Sequence, residues 1–296
     1  MRKQSIYSIV RLTVILLLFC ISQVACAGKS FLWQVDNGKS TVYLLGSIHM
    51  GVPAMYPLPA VIQKAYRNSD AIVVEVNESA SNPLVVQQKM QTMGMYPGTE
   101  TIADHVDKTT YQSLSRYLQK SGMPPQMFIK MKPGLIAITL SVVQLQQLGY
   151  SPDLGVDRHF IEKANQDHKP ILELETIDQQ LSLLLNFSDD ALLLKHTMSQ
   201  LDIMKDVTEH MIQAWQQGNA EKLKTLMLVD PIKDNPEYRP LMKALITNRN
   251  YTMAAKVNAY LTSGKHYLVI VGAGHLVGDE GIIAILKQKG FKVVQL

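Results

Sequence analysis

"VYLLGSIHMG", residues 42–51, decides how this chain is read. A run of β-forming residues stops at Gly46 and delivers a histidine, His49, with a second glycine just beyond it. The pattern returns near the other end as "YLVIVGAGHLVG", residues 267–278, with His275 in the matching place. Apolar strands that end in glycine and histidine are what an open α/β sheet needs if its strand ends are to carry a ligand site.

The surroundings of the first motif extend this reading. "FLWQVDNGKSTVYLLGSIH", residues 31–49, reads as a β-hairpin turning at Asp36-Asn37-Gly38-Lys39. Asn-Gly favours such a turn because both residues tolerate positive φ. "PLPAVIQKAYRNSD" has apolar residues at 58, 61, 62, 65 and 66, a helical spacing opened by proline. "AIVVEVN", 71–77, is a buried strand, so hairpin, helix and strand suggest a crossover onto one sheet. The middle is mainly helical. "YQSLSRYLQKSG" ends at a glycine cap, and "PGLIAITLSVVQLQQLG", 133–149, is apolar nearly all round and expected to be buried. "GVDRHFIEKANQDHKP" leads into the strand "ILELE", 171–175. Several helices follow to about Asn248, with breaks expected at 186–189, Gly218-Asn219 and Asp230-Pro231. Strand "HYLVIV", helix "EGIIAILKQKG" and strand "FKVVQL" close the chain as a β-α-β unit. The fold class is α/β: a mixed sheet with a hairpin and crossover helices, plus large helical insertions. One domain is expected over 28–296, after a leader at 1–27. Methionine clusters at 90–95 and 123–131 read as adaptable helix packing, with a methionine-lined substrate groove as the alternative.

The 296 residues carry 47% hydrophobic and 18% charged side chains, enough apolar mass for a core. The net charge of +4 is concentrated in the leader, where Arg2, Lys3 and Arg11 face no acid; without them 26 basic residues stand against 25 acidic. No basic stripe favours nucleic acid. "VILLLFCI", 14–21, is too short to span a bilayer, and "ACA", 25–27, fits a small-x-small cleavage site. The residues therefore point to a periplasmic or secreted protein with a cleaved signal peptide. The rivals are lipidation at Cys26, which Gln23 disfavours, and an uncleaved leader, the one route to membrane attachment. Both cysteines, Cys20 and Cys26, lie in the leader. The remainder can use neither a cysteine nucleophile nor cysteine-ligated metal.

Four strand ends offer chemistry: His49, Glu75, the Glu173–Glu175 segment and His275. A lone histidine after a strand is ordinarily structural, but two in near-repeated G-x-x-H settings favour a shared pocket. The glycines Gly46, Gly272 and Gly274 are expected to permit the tight turns and to leave space beside the backbone. Glu75, inside an apolar run, either keeps its carboxylate in water at an edge or has a partner. A solvated face accounts for at least one of Glu173 and Glu175. Asp157 near a helix start reads first as a cap or dipole partner, and Arg249 in "TNRNYTMA" as a surface or cap-region residue. His105, His159, His168, His196, His210 and His266 have no comparable setting. Two histidines with carboxylates and no cysteine suit a divalent Mn, Fe, Co or Zn ion. No H-E-x-x-H, G-x-S-x-G or Walker loop is present, and "GAGHLVG" does not complete a dinucleotide fingerprint.

The ordered set "LLGSIH", "AIVVEVN", "GVDRHF", "ILELET", "NRNYTMA" and "IVGAGHLVGDEGIIAILKQKGFKV" resembles the TraB/GumN family, with its bacterial YbaP-like members and the related animal Tiki metalloproteases, over about residues 30–296. The resemblance implies a metal centre held by His49, His275 and Glu75, with Glu75 as ligand or base. Manganese or cobalt is the first expectation and zinc or iron the second. It also matches Arg249 to a polar position of the family pattern. Similarity to ChaN-like haem-binding and erythromycin-esterase-like proteins implies a mixed α/β sheet flanked by helices. The leading expectation is thus an exported metal-dependent hydrolase, a peptidase acting on a peptide or protein. In it Arg249 steadies oxyanion charge, and Asp157 and Glu175 support or extend the ligand set. The rival is a non-catalytic binding protein that sequesters a peptide, haem or metal.

Overall fold

The computed structural model describes residues 28–186, 189–233 and 235–296. The leader, both cysteines and their cleavage or lipidation signals lie outside the described residues. Among the described residues no helix is long and apolar enough to cross a membrane.

The hairpin forms from β1 (Leu32–Asp36) and β2 (Thr41–Ser47), paired antiparallel with Asp36 opposite Thr41. Gly38 takes φ +81°, but Asn37 does not share the positive φ expected of it. Its side-chain Oδ1 instead accepts from the backbone N–H groups of Lys39 and Ser40, at 3.1 and 2.9 Å. The loop is therefore an Asx turn rather than a two-residue mirror-image turn.

Helix Ala60–Arg67 crosses to β3 (Ala71–Val74), whose four residues are all buried. The 171–175 run is shorter than expected, with β4 covering Ile171–Glu173 at the sheet edge. Pairing nevertheless continues beyond it, since Glu175 N–H donates to Glu75 O at 2.8 Å. β5 (Tyr267–Gly272) is buried throughout, and β6 (Val293–Gln295) closes the far edge. The order is β4-β3-β5-β2-β1-β6. β3 pairs parallel with β4 and β5, and β5 parallel with β2, while β1 runs against both β2 and β6. The closing β-α-β unit therefore steps over β2 and β1, with helix Ile282–Gln288 as its crossover.

Helix Pro133–Gln147 explains its own composition. Its first half touches three apolar clusters on different sides. Ile136 and Leu140 pack with Leu114, Leu118 and Leu194; Leu135 packs with Leu181 and Leu185; Ala137 packs with Leu193 and Leu241. A helix gripped on three sides must be apolar on three sides. The second half does not share the burial expected for the whole segment. Residues 141–148 are half-buried or exposed: Val142 lines an open cleft, and Leu145 and Leu148 pack only partly against the main core.

The breaks expected at 186–189 and Gly218-Asn219 fall at helix junctions, with Asp189 and Asn219 capping the next helices through their side chains. Asp230-Pro231 does not break the chain. Helix Ala220–Lys224 widens into a π-turn over Thr225–Val229 and continues as Asp230–Lys233. Widening the turn moves the carbonyl that a proline ring would strike, so the helix survives. A second π-turn, Lys243–Thr247, leads directly into helix Asn248–Tyr260.

Candidate active site at the carboxyl edge of the sheet

The sheet order decides which side chains meet. β4, β3, β5 and β2 are consecutive neighbours and all parallel, so their carboxyl ends share one edge. Glu175, Glu75, His275 and His49 follow those four strands in the same spatial order. The register places Ser47 beside Gly272 and Val74 beside Ile270. Open α/β sheets collect ligands at this edge.

Gly272 is the floor of the site. The point where a Cβ would stand on it lies 3.2 Å from His49 Nε2, 3.4 Å from Glu75 Oε1 and 3.6 Å from His275 Cδ2. Three polar groups from three strand ends therefore face one small space that a side chain would fill. Of the two reasons expected for Gly46, Gly272 and Gly274, none of the three uses positive φ for a turn, but all three leave the space beside the backbone that was expected: a Cβ on Gly46 would stand 2.3 Å from Phe31 Cδ1.

Each of the three groups is held from behind. His275 is buried, and its Nδ1 lies 2.6 Å from Asn250 Oδ1. Asn250 Nδ2 donates to Glu280 O at 2.8 Å, which turns its Oδ1 toward the imidazole. The proton therefore belongs on His275 Nδ1, leaving the Nε2 lone pair toward Glu75. Burial pushes the His275 pKa down to about 4, with Glu75 opposing, so the ring is neutral at pH 7.

His49 Nδ1 lies 3.2 Å from Asp157 Oδ1. Its side chain is 60% open to the cleft. Partial desolvation lowers its proton affinity, but Asp157, and then Glu75 and Glu78, raise it further, to about 9. Asp157 is not a helix cap: Gly155 occupies that position. Its carboxylate accepts from Ser47 Oγ at 2.6 Å, and His49 holds it ionised below the usual range despite burial.

Glu75 takes the partnered alternative. Oε1 accepts from Gly272 N–H at 2.6 Å, and Oε2 from Arg249 Nη2 at 2.6 Å and Gln180 Nε2 at 3.1 Å. Burial raises its pKa, but His275, His49 and Arg249 bring it below the ordinary value. Glu175 shares the same partners, accepting from Arg249 Nε at 2.8 Å and Nη2 at 2.6 Å and from Gln180 at 3.2 Å. Glu173 points elsewhere, accepting from Asn77 N–H.

Arg249 is neither a surface residue nor free to meet an oxyanion. Its Nε and Nη2 serve the two glutamates, and Nη1 donates to Leu245 O at 2.9 Å. Its charge offsets two buried carboxylates that would otherwise repel. Sequence reasoning missed Ser47, Gln180 and Asn250. Ser47 lies inside the G-x-x-H motif and Asn250 inside "NRN", so proximity to a motif was a usable signal. Gln180 had none.

A cleft of about 380 Å³ opens over His49, Glu75, Asp157 and Arg249, walled by Val142, Leu183, Leu184 and Leu245. His275 is not part of that wall. It reaches the same point from beneath, so only His49 faces the cleft as both histidines were expected to. None of the other six histidines lines the cleft.

Among the described residues, no three His, Asp or Glu side chains stand at ready-made metal-ligand spacing. The donor set nevertheless suits a divalent cation. His275 Nε2 and Glu75 Oε1 are 3.8 Å apart, beyond a hydrogen bond. Two donors bound to one ion at ordinary bond lengths stand roughly 3–4 Å apart. Asn250 and Asp157 behind the imidazoles supply the backing that metal-binding histidines use. A metal would have to displace the proton from His49, so uptake would release a proton.

The TraB/PrgY/gumN family model matches residues 31–295. The chain is 28% identical over 268 residues to the uncharacterized protein YbaP of Escherichia coli (strain K12), covering 89% of this chain and 96% of the relative. It is 22% identical over 316 residues to Metalloprotease TIKI2 of Danio rerio and 20% identical over 313 residues to Metalloprotease TIKI1 of the same fish. Those two matches cover 90% of this chain and 60% and 63% of the relatives. No solved structure matches this chain significantly.

Proposed function

This chain belongs to the TraB/PrgY/gumN family, and on that premise we propose that it is an exported metal-dependent hydrolase, most simply a peptidase. The observation that carries the reading is the convergence of His49 Nε2, Glu75 Oε1 and His275 over Gly272. The distant likeness to proteins named metalloproteases supports the reaction class. The leader supports export.

His49, His275 and Glu75 would hold the ion, with manganese or cobalt the first candidates. A cation there would polarise a carbonyl and make water nucleophilic near neutral pH. The chain's own residues do the positioning. Asn250 keeps His275 in the tautomer that presents Nε2. Asp157, steadied by Ser47, does the same for His49. Arg249 holds Glu75 ionised and binds Glu175 beside it, a positioning role in place of oxyanion contact. Gly272 N–H fixes the glutamate oxygen nearest the imidazoles.

One observation favours the second reading, a binding protein without turnover. Arg249 is already spent on carboxylates, so few cationic donors remain for a developing oxyanion. Both readings meet one experiment. Purified protein, with His49→Ala and His275→Ala beside it, is assayed for metal content by plasma mass spectrometry and for cleavage of a mixed peptide library with Mn, Co or Zn. Stoichiometric metal, lost in both variants, together with cleavage, is expected. Metal without cleavage would favour the binding protein, and no uptake by a folded wild type would remove the metallohydrolase.

A further inference from the structure

Two hollows meet at the mouth of the site. The cleft over His49 and Glu75 shares Glu78 and Arg158 with a second groove of about 570 Å³. That groove is lined by Val86 and Met90 from helix Pro83–Gly94, Ile161 from helix Val156–Gln166, and Ile177 at the start of helix Ile177–Leu185. The same first helix leaves Leu84 73% exposed and Val85 46% exposed, so its apolar surface exceeds what the fold covers. Of the methionine clusters, Met90 lines this groove, while Met93, Met95 and Met131 pack against Leu135, Leu181 and Leu185.

The charges at the junction are unequal. Arg158 is neutralised by Asp153 at 3.0 Å and Glu162 at 2.9 Å. Glu78 is exposed, and among the described residues its carboxylate makes no hydrogen bond or ion pair, while its charge acts at longer range on Arg158 and His49. It stands three residues past Glu75, in the short turn Glu78–Ala80. An apolar trough with an unpaired carboxylate at its inner end suits an apolar side chain next to a cation, and repels an acidic one. Alternate side chains of an extended peptide point the same way, about 6.6 Å apart, so residues two positions apart can reach the groove and the cleft together.

We propose that this groove is the specificity subsite of the candidate active site, taking an apolar side chain of an extended peptide while Glu78 takes a basic residue two positions along. The proposal rests on the hydrolase reading for its catalytic part alone, and binding tests it independently.

Three fluorescein-labelled decapeptides of alanine and glycine, with a central Leu-Ala-Lys, Leu-Ala-Glu or Ser-Ala-Lys triplet (Leu-Lys, Leu-Glu and Ser-Lys for short), serve as probes. Binding is read by anisotropy with EDTA present, and cleavage by mass spectrometry with Mn or Co. Wild type should bind Leu-Lys about tenfold tighter than Ser-Lys and about threefold tighter than Leu-Glu. Glu78→Lys should invert the Lys-over-Glu preference and keep the Leu preference. Val86→Lys, checked for folding by circular dichroism, should remove the Leu preference. Equal binding of the three probes, or preferences unmoved by both variants, overturns the subsite. The expected preferences without any cleavage uphold the subsite and count against the hydrolase; cleavage without those preferences does the reverse.

Discussion

A methyl group at position 272 would land among the three groups on which the site depends. Gly272 has φ −50° and ψ 137°, which alanine adopts freely, so Gly272→Ala should still fold, as circular dichroism would show. The added carbon would stand 3.2 Å from His49 Nε2 and 3.4 Å from Glu75 Oε1, and must push them apart. Metal-supported cleavage is expected to fall by about 100-fold; wild-type activity in this variant would disprove the shared site. Asn250→Ala acts one step further back. It frees the His275 tautomer and should weaken metal affinity by about 10–100-fold in a calorimetric titration. Arg249→Met leaves Glu75 and Glu175 together without their cation. It should cost about 3–5 kcal/mol in urea unfolding, partly recovered when Glu175→Gln is added. A loss below about 1 kcal/mol would mean that water reaches both carboxylates.

Among the elements, those that flank the site are fastened by single contacts. Trp215, buried in helix Met204–Gln216, donates from Nε1 to Gly46 O at 2.6 Å. That carbonyl lies just before Ser47 and His49, so the helix pins the end of β2. Trp215→Phe keeps most of the apolar volume and strands the acceptor, at a cost of about 1–3 kcal/mol by urea denaturation. A neutral result would require another donor to reach Gly46. The π-turn Lys243–Thr247 works in a related way. It sets the phase of helix Asn248–Tyr260, so that Arg249 faces the glutamates and Asn250 the histidine. Two successive residues of one helix thereby serve two neighbouring strand ends.

For the molecule as a whole, stability is tied to pH through groups held neutral in the interior as well as through the site. His196 Nδ1 has no partner among the described residues, and burial lowers its pKa. The folded value therefore lies below the unfolded value of about 6.5, and protons bind the unfolded chain more readily. Its contribution is whole above about pH 6.5 and is lost as the pH falls below that through the folded value. His196→Leu should flatten the decline of melting temperature between about pH 7 and pH 4.5; an unchanged slope would place the acid sensitivity elsewhere, with His275 the next group to test.

The periodicity of the chain by itself determined the hairpin, the buried strands, the crossover helices and the mixed α/β class, because alternation and helical spacing are local properties. The paired G-x-x-H motifs also marked His49 and His275, and the apolar setting of Glu75 required it to have either water or a partner. Only the tertiary structure decided between those two, since the partner, Arg249, lies 174 residues away along the chain. Remote pairing also hid the support from Gln180, 105 residues from Glu75, and from Asn250, 25 residues from His275. Strand order is a property of pairings between remote segments, and it is the order β4-β3-β5-β2 that brings two histidines and two glutamates to one edge.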